Sequence, residues 1–232
     1  MMQKNLSRLA AATLLCAASL ASHAATLTLS SWAFGNGNAV QGSAPAYNAQ
    51  AGGFTGTLSG AGASYDGSID SYCVELAQTI SLGTSYGDYN LVAASSHFGS
   101  SAKATALSQL LSYANPLVAA AADGTDDNWS TSLQLAIWNT VYDTDDTLSG
   151  GSFTNTGAFA AKANDFLAGA KNQASQLDLW VLKHAKQQDQ LIWKPRPDEV
   201  SLVPEPASLA LTLAALGGLG LSRRRKPEAN PA

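Results

Sequence analysis

Ile69-Asp70-Ser71-Tyr72-Cys73-Val74-Glu75-Leu76 alternates its apolar side chains at period two and reads as a half-buried β-strand. On such a strand Tyr72, Val74 and Leu76 point to one face, Cys73 and Glu75 to the other. Working outward, Leu27 to Phe34, Phe54 to Leu58 and Tyr86 to Val92 carry strand patterns, with Gly60, Gly62 and Gly67 turning between them. Gly35 to Gly53 is so rich in Gly, Asn and Ala that it reads as loop. From Ser101 the period changes. Ala104, Leu107, Leu110, Leu111 and Ala114 recur at helical spacing, and Asn115-Pro116 is expected to break or kink that helix. Asp126-Asp127-Asn128 can cap a second helix that carries Trp129, Leu133, Ala136, Ile137, Thr140 and Val141 on one face. A third helix is expected from Ala158 to Ala174, and Leu179 to Leu182 and Gln190 to Trp193 read as closing strands. The order is α+β: a β-rich, sandwich- or barrel-like core with a helical insertion.

Both ends of the chain read as addresses. Lys4 and Arg8, the apolar run Leu9 to Leu20 and the small-x-small triplet Ser22-His23-Ala24 make a signal peptide over 1–24, cleaved by signal peptidase after Ala24. Cys16 follows the bulky Leu15, which argues against lipidation. At the other end stand Val203-Pro204-Glu205-Pro206, an apolar run from Ala207 to Leu221, and Arg223-Arg224-Arg225-Lys226. The run is about 15 residues, short of a comfortable bilayer span, and suits a transient insertion in the inner membrane. The basic cluster should stay cytoplasmic, leaving Pro-Glu-Pro on the far side. This tail, 204–232, resembles the PEP-CTERM sorting signal. The resemblance implies cleavage by an exosortase in a Gram-negative, exopolysaccharide-making bacterium, and a final place at the cell surface or in the biofilm matrix. Lys194 to Val203 reads as a Pro-rich stalk, which leaves 25–193 as the domain proper.

Seven of the 13 basic and 15 of the 17 acidic residues fall between Ala25 and Val203, a net formal charge of −8 there. An acidic body without a basic patch argues against nucleic acid and anionic membrane surfaces as partners. Once Cys16 is removed with the signal peptide, Cys73 is the only cysteine in a protein bound for an oxidising compartment. It must be buried, paired between molecules, catalytic or chemically occupied.

Two segments stand out together: Tyr72-Cys73-Val74-Glu75-Leu76 and, on the second helix, Leu133-Gln134-Leu135-Ala136-Ile137-Trp138. They resemble the Cys-Gln thioester domains of bacterial surface adhesins, over roughly Ile69 to Trp193. In that family a Tyr-Cys strand supplies a thiol and a Thr-Gln-x-Ala-Ile-Trp-like helix supplies a glutamine. Here Leu133 stands where the adhesin motif has Thr. The resemblance implies an internal thioester between Cys73 and Gln134, with Tyr72, Glu75, Ala136 and Trp138 shielding or supporting it. Such a bond is an electrophile that an amine on a surface or matrix target can open. The protein would be a single-use covalent glue rather than a turnover enzyme, and it would need no cofactor.

Other readings of the same residues stay open. Cys73 can be a packed small hydrophobe and the chain a passive matrix or polysaccharide-binding protein. A Cys-His hydrolase would need His97 or His184 beside Cys73, and both read as surface histidines. Asp123, Asp126, Asp127 and Asn128, or Asp143, Asp145 and Asp146, lack the EF-hand order and read as a cap and a solvated turn, so no metal site is expected. Trp32, Trp129, Trp180 and Trp193 read as core rather than as a sugar platform.

Overall fold

Strand β1 (Ala25–Trp32) buries Ala25, Leu27 and Leu29 and turns the residues between them outward, as its alternation requires. It is the first of six antiparallel strands that close a barrel. The others are β4 (Phe54–Ser59), β5 (Gly67–Cys73), β6 (Ser85–Ala93), β7 (Leu177–Lys183) and β8 (Gln190–Pro195), in the order β1-β4-β5-β8-β7-β6. A two-stranded ribbon, β2 (Asn38–Ser43) with β3 (Ala46–Ala51), lies outside the barrel. Helices α1 (Ala94–His97), α2 (Ser101–Ala122), α3 (Trp129–Tyr142) and α4 (Ala160–Ala170) are all inserted between β6 and β7. This computed structural model describes residues 24–43, 45–122, 128–143 and 145–197. The signal segment up to His23, residues 123–127 and everything from Asp198 on, including Pro204-Glu205-Pro206 and Arg223-Arg224-Arg225, lie outside the described residues.

The architecture is the expected α+β core with a helical insertion, and four local expectations need correction. Gly35 to Gly53 is not a loop but mostly the β2–β3 ribbon, held in register from Asn38↔Ala51 to Ser43↔Ala46. Its side chains are small and polar, so the period-two signal is weak, and only Val40 and Ala51 are buried. Helix α2 runs through Pro116 without ending, because the buried stripe Leu107, Leu110, Leu111 and Ala114 continues to Val118 beyond it. Asn128 does not cap α3 with its side chain; its backbone is already helical, and its Oδ1 accepts from Asn38 Nδ2 at 3.3 Å. Residues 194–196 are no stalk. Lys194 and Pro195 finish β8, and Arg196 is tied back by its N–H to Gln176 O and by its guanidinium to Asp178 at 3.1 Å.

Helix α3 positions the site. Ser130 to Asn139 are all buried, more than the one-sided pattern implies, because α2, α4 and the barrel enclose the helix. Two of its polar residues bond to the chain around the ribbon's end. Ser130 Oγ accepts from Gly53 N at 2.8 Å, and Thr131 Oγ1 donates to Ala51 O at 2.9 Å. These two bonds fix how far along the barrel Gln134, one turn later, is set. Among the described residues, no helix is long and apolar enough to cross a membrane.

Candidate functional site

Strands β4 and β5 pair from Leu58↔Gly67 to Phe54↔Ser71, and there β4 stops. Cys73 lies two residues further on, so the side of its backbone that faces β4 has lost its strand partner. Gln134 takes the vacant place. Its Oε1 accepts from Cys73 N at 2.9 Å and its Nε2 donates to Cys73 O at 2.8 Å, so one carboxamide imitates a strand residue. Both ends of that amide are engaged on the main chain of Cys73.

The thiol has other neighbours. Cys73 pairs directly with Gln190 across β5 and β8, and such opposed residues put their side chains on one face. Gln190 Nε2 lies 3.4 Å from Sγ, and Gln190 Oε1 accepts from Ser71 Oγ at 3.0 Å. On the other side Sγ donates to Gln188 Oε1 at 2.8 Å. Gln188 is itself held by its Nε2 on Glu75 O, 3.0 Å, and by the Tyr89 hydroxyl on its main-chain carbonyl, 3.1 Å. Sγ thus sits between two carboxamides, with 1% of Cys73 exposed. Burial pushes the thiol up to about 12; the Gln190 contact opposes that shift and the negative charge of Glu75 adds to it. Burial therefore favours the protonated thiol at neutral pH.

Around this centre stand the remaining residues that the sequence singles out. Tyr72 is fully buried on the opposite face, stacked on Trp193 at 5.9 Å and facing Phe34 at 6.5 Å. Ala136 is buried within α3. Trp138 is buried against Tyr47 and Phe153, centroids 5.8 and 6.3 Å away. Glu75 is half-buried and its Oε1 accepts from Asp189 N at 2.9 Å; burial raises its carboxyl above the usual range. The two histidines are not simple surface residues. His97 is largely enclosed and lies 3.9 Å from Asp189, and the His184 ring rests on Tyr89 at 4.9 Å. The polar contacts of Sγ are nevertheless amides rather than imidazoles. Trp32, Trp129, Trp180 and Trp193 are half-buried and pack against the core. No group of three or more candidate metal ligands occurs among the described residues.

Gln188, Gln190 and Ser71 are the residues that sequence reasoning missed. Gln188 and Gln190 alternate at the entrance of a closing strand, a signal that shows two glutamines on one face but not what they face. Cross-strand register supplies the rest.

Comparison with known proteins adds two findings. The PEP-CTERM protein-sorting motif matches residues 202–226, so the chain carries the mark of an exported protein processed by exosortase and sorted to the surface. Among solved structures it is similar to the N-terminal thioester domain of a surface protein from Clostridium perfringens, in a cysteine-to-alanine variant. Identity is 18% and the TM-score 0.41, over 56% of this chain and 84% of that one. No curated protein matches the sequence.

Proposed function

We propose that this exosortase-sorted protein forms one internal thioester between Cys73 and Gln190, and spends it in bonding to an amine-bearing target at the cell surface or in the surrounding matrix. The observation that carries this reading is the Gln190 carboxamide against Sγ, with its oxygen already accepting from Ser71. Gln134, the partner expected from its motif, has both ends of its amide on the Cys73 backbone, which suits it to hold the strand end rather than to react.

The step balances without a cofactor. Sγ attacks Cδ of Gln190 while the Ser71 hydroxyl donates to the oxygen on which charge develops. The thiol proton passes to the departing nitrogen, ammonia leaves, and a Cδ–Sγ bond remains. Gln188 holds the S–H before the step, and the nearly complete burial keeps water from the product. An incoming amine later attacks the same Cδ, leaving a stable amide and returning the thiol. Each molecule acts once. In this reading the signal peptide is removed after Ala24, and the 207–221 run halts the chain in the inner membrane with Pro204-Glu205-Pro206 across it. The domain is then released to a surface or exopolysaccharide-rich matrix.

Intact mass tests the bond. The exported protein is expected to be one ammonia lighter than its encoded chain, judged against a Cys73→Ala variant prepared alongside. Methylamine should then add at residue 190 and free one thiol. Gln190→Ala should remove the deficit, and a full encoded mass in the wild type would return the chain to the passive matrix reading. The thiol left in Gln190→Ala is expected to react slowly with iodoacetamide at pH 8 while folded. It should react at an ordinary cysteine rate in guanidinium, because unfolding removes the burial that chiefly keeps it protonated. Equal rates in the two conditions would mean that Sγ is not enclosed.

A further inference from the structure

The two carboxylates beside the site are unequally engaged. Asp189 sits between the two glutamines that touch the sulfur, and both of its oxygens have partners: Oδ1 accepts from His184 N at 2.7 Å, and Oδ2 faces His97 Nε2 at 3.9 Å. Glu75 differs. Its Oε1 accepts from Asp189 N, and among the described contacts its Oε2 has none. Glu75 lies two residues beyond Cys73, just past the end of β5; it is half-buried where Cys73 is closed off, and its negative charge opposes ionisation of the thiol. Through its bond to Asp189 N, the half-buried Glu75 carboxylate is anchored on the residue next to Gln190, which puts negative charge beside the buried centre.

We infer that Glu75 is the residue that selects the nucleophile: its carboxylate draws in a cationic primary amine of the lysine type and takes the proton that the amine must lose before it attacks. This rests on the thioester reading above. The opening step then balances. R–NH3+ gives one proton to Glu75, the neutral amine bonds to Cδ, the Cδ–Sγ bond breaks, the departing sulfur takes a second proton from the attacking nitrogen to leave a neutral amide, and Glu75 releases the first proton to solvent. Hydroxyl nucleophiles and water bring no positive charge and are not drawn in by the carboxylate, so its attraction favours amines over hydrolysis. The groups facing Glu75 are consistent with this. Lys183 lies near enough to moderate its charge without an ion pair, Asp189 raises its affinity for a cation or a proton, and Tyr142 places its hydroxyl on the next backbone N–H, Leu76, at 3.0 Å.

The test compares two nucleophiles on the exported protein near pH 7.5: methylamine, which is almost wholly cationic there, and hydroxylamine, which is almost wholly neutral. Glu75→Gln is expected to keep the ammonia mass deficit. It should react with methylamine between about tenfold and a thousandfold more slowly than wild type, the range by which a charged cleft raises local ligand concentration. Its reaction with hydroxylamine should be nearly unchanged, and Glu75→Asp should restore part of the methylamine rate. Equal slowing with both nucleophiles would assign Glu75 a merely structural role and overturn the inference, as would unchanged rates with both. Loss of the mass deficit in Glu75→Gln would overturn it too, since the role assigned is in opening the bond and not in forming it. A wild type without the deficit would overturn the thioester itself, an outcome distinct from all of these.

Discussion

Gln134→Ala is expected to destabilise the domain by roughly 2–6 kcal/mol and yet to leave the ammonia deficit in the molecules that still fold. The first half follows from what the carboxamide touches. Removing it strips the Cys73 N–H and C=O of partners in a place with no solvent, and each orphaned buried group costs about 1–3 kcal/mol. The volume vacated inside a helix buried from Ser130 to Asn139 adds a cavity term. Domains of this size are held together by about 5–15 kcal/mol, so the loss is a large part of the whole. The second half follows from the sulfur's neighbours, which are Gln188 and Gln190. Chemical denaturation gives the first quantity and intact mass the second. A variant of unchanged stability would refute the backbone clasp; a folded variant of full encoded mass would make Gln134 the acyl donor.

How much of this was legible in the sequence depends on whether the information was local. The strand carrying Cys73 and the helix carrying Gln134 each announce themselves by period; α3 lies where its period puts it, whereas β5 runs from Gly67 and stops at Cys73, short of the expected end at Leu76. The ribbon β2–β3 was hidden because Ala, Gly, Asn and Gln carry little hydrophobic contrast, and it is anchored by long-range contacts, Thr131 on Ala51 and Tyr47 against Trp138 and Phe153. Pro116 was overrated as a stop, since tertiary burial at Val118 outweighs one lost helical bond. The glutamine against the sulfur could not be read locally at all. Gln134, Gln188 and Gln190 are equivalent as residues, and what separates them is that β8 pairs with β5 at Cys73↔Gln190 while α3 arrives at the edge that β4 has left. His97 and Asp189 are likewise brought together across 92 positions by the barrel alone.

Gly56→Ala is expected to be as damaging as a core truncation although it adds a single methyl group. A Cβ on Gly56 would stand 2.2 Å from Thr28 O and 2.8 Å from Leu29 Cα, and both are backbone atoms that no rotamer change can move aside. Gly56 pairs with Leu29, next to the irregularity in β1 between Leu29 and Ser31. Strands β1 and β4 must separate to admit the methyl group, which strains one seam of a closed barrel and disturbs the burial of Leu27 and Leu29. A loss of about 3 kcal/mol or more is expected, at the upper end of overpacking effects. Gly87→Ala is the control: it also lies within a strand, but its added Cβ would meet only Thr26 Oγ1 at 4.0 Å. That change should stay within about 1 kcal/mol of wild type. Denaturant midpoints for the two variants settle the comparison, and equal midpoints would refute the close approach. The damage should also reach the chemistry. Gly56 pairs with Ile69 on β5, four residues before Cys73, so a displaced β4 carries β5 with it and spoils the register that sets the thiol opposite Gln190. Whatever Gly56→Ala protein folds should therefore form the thioester slowly or incompletely, whereas Gly87→Ala should form it in full.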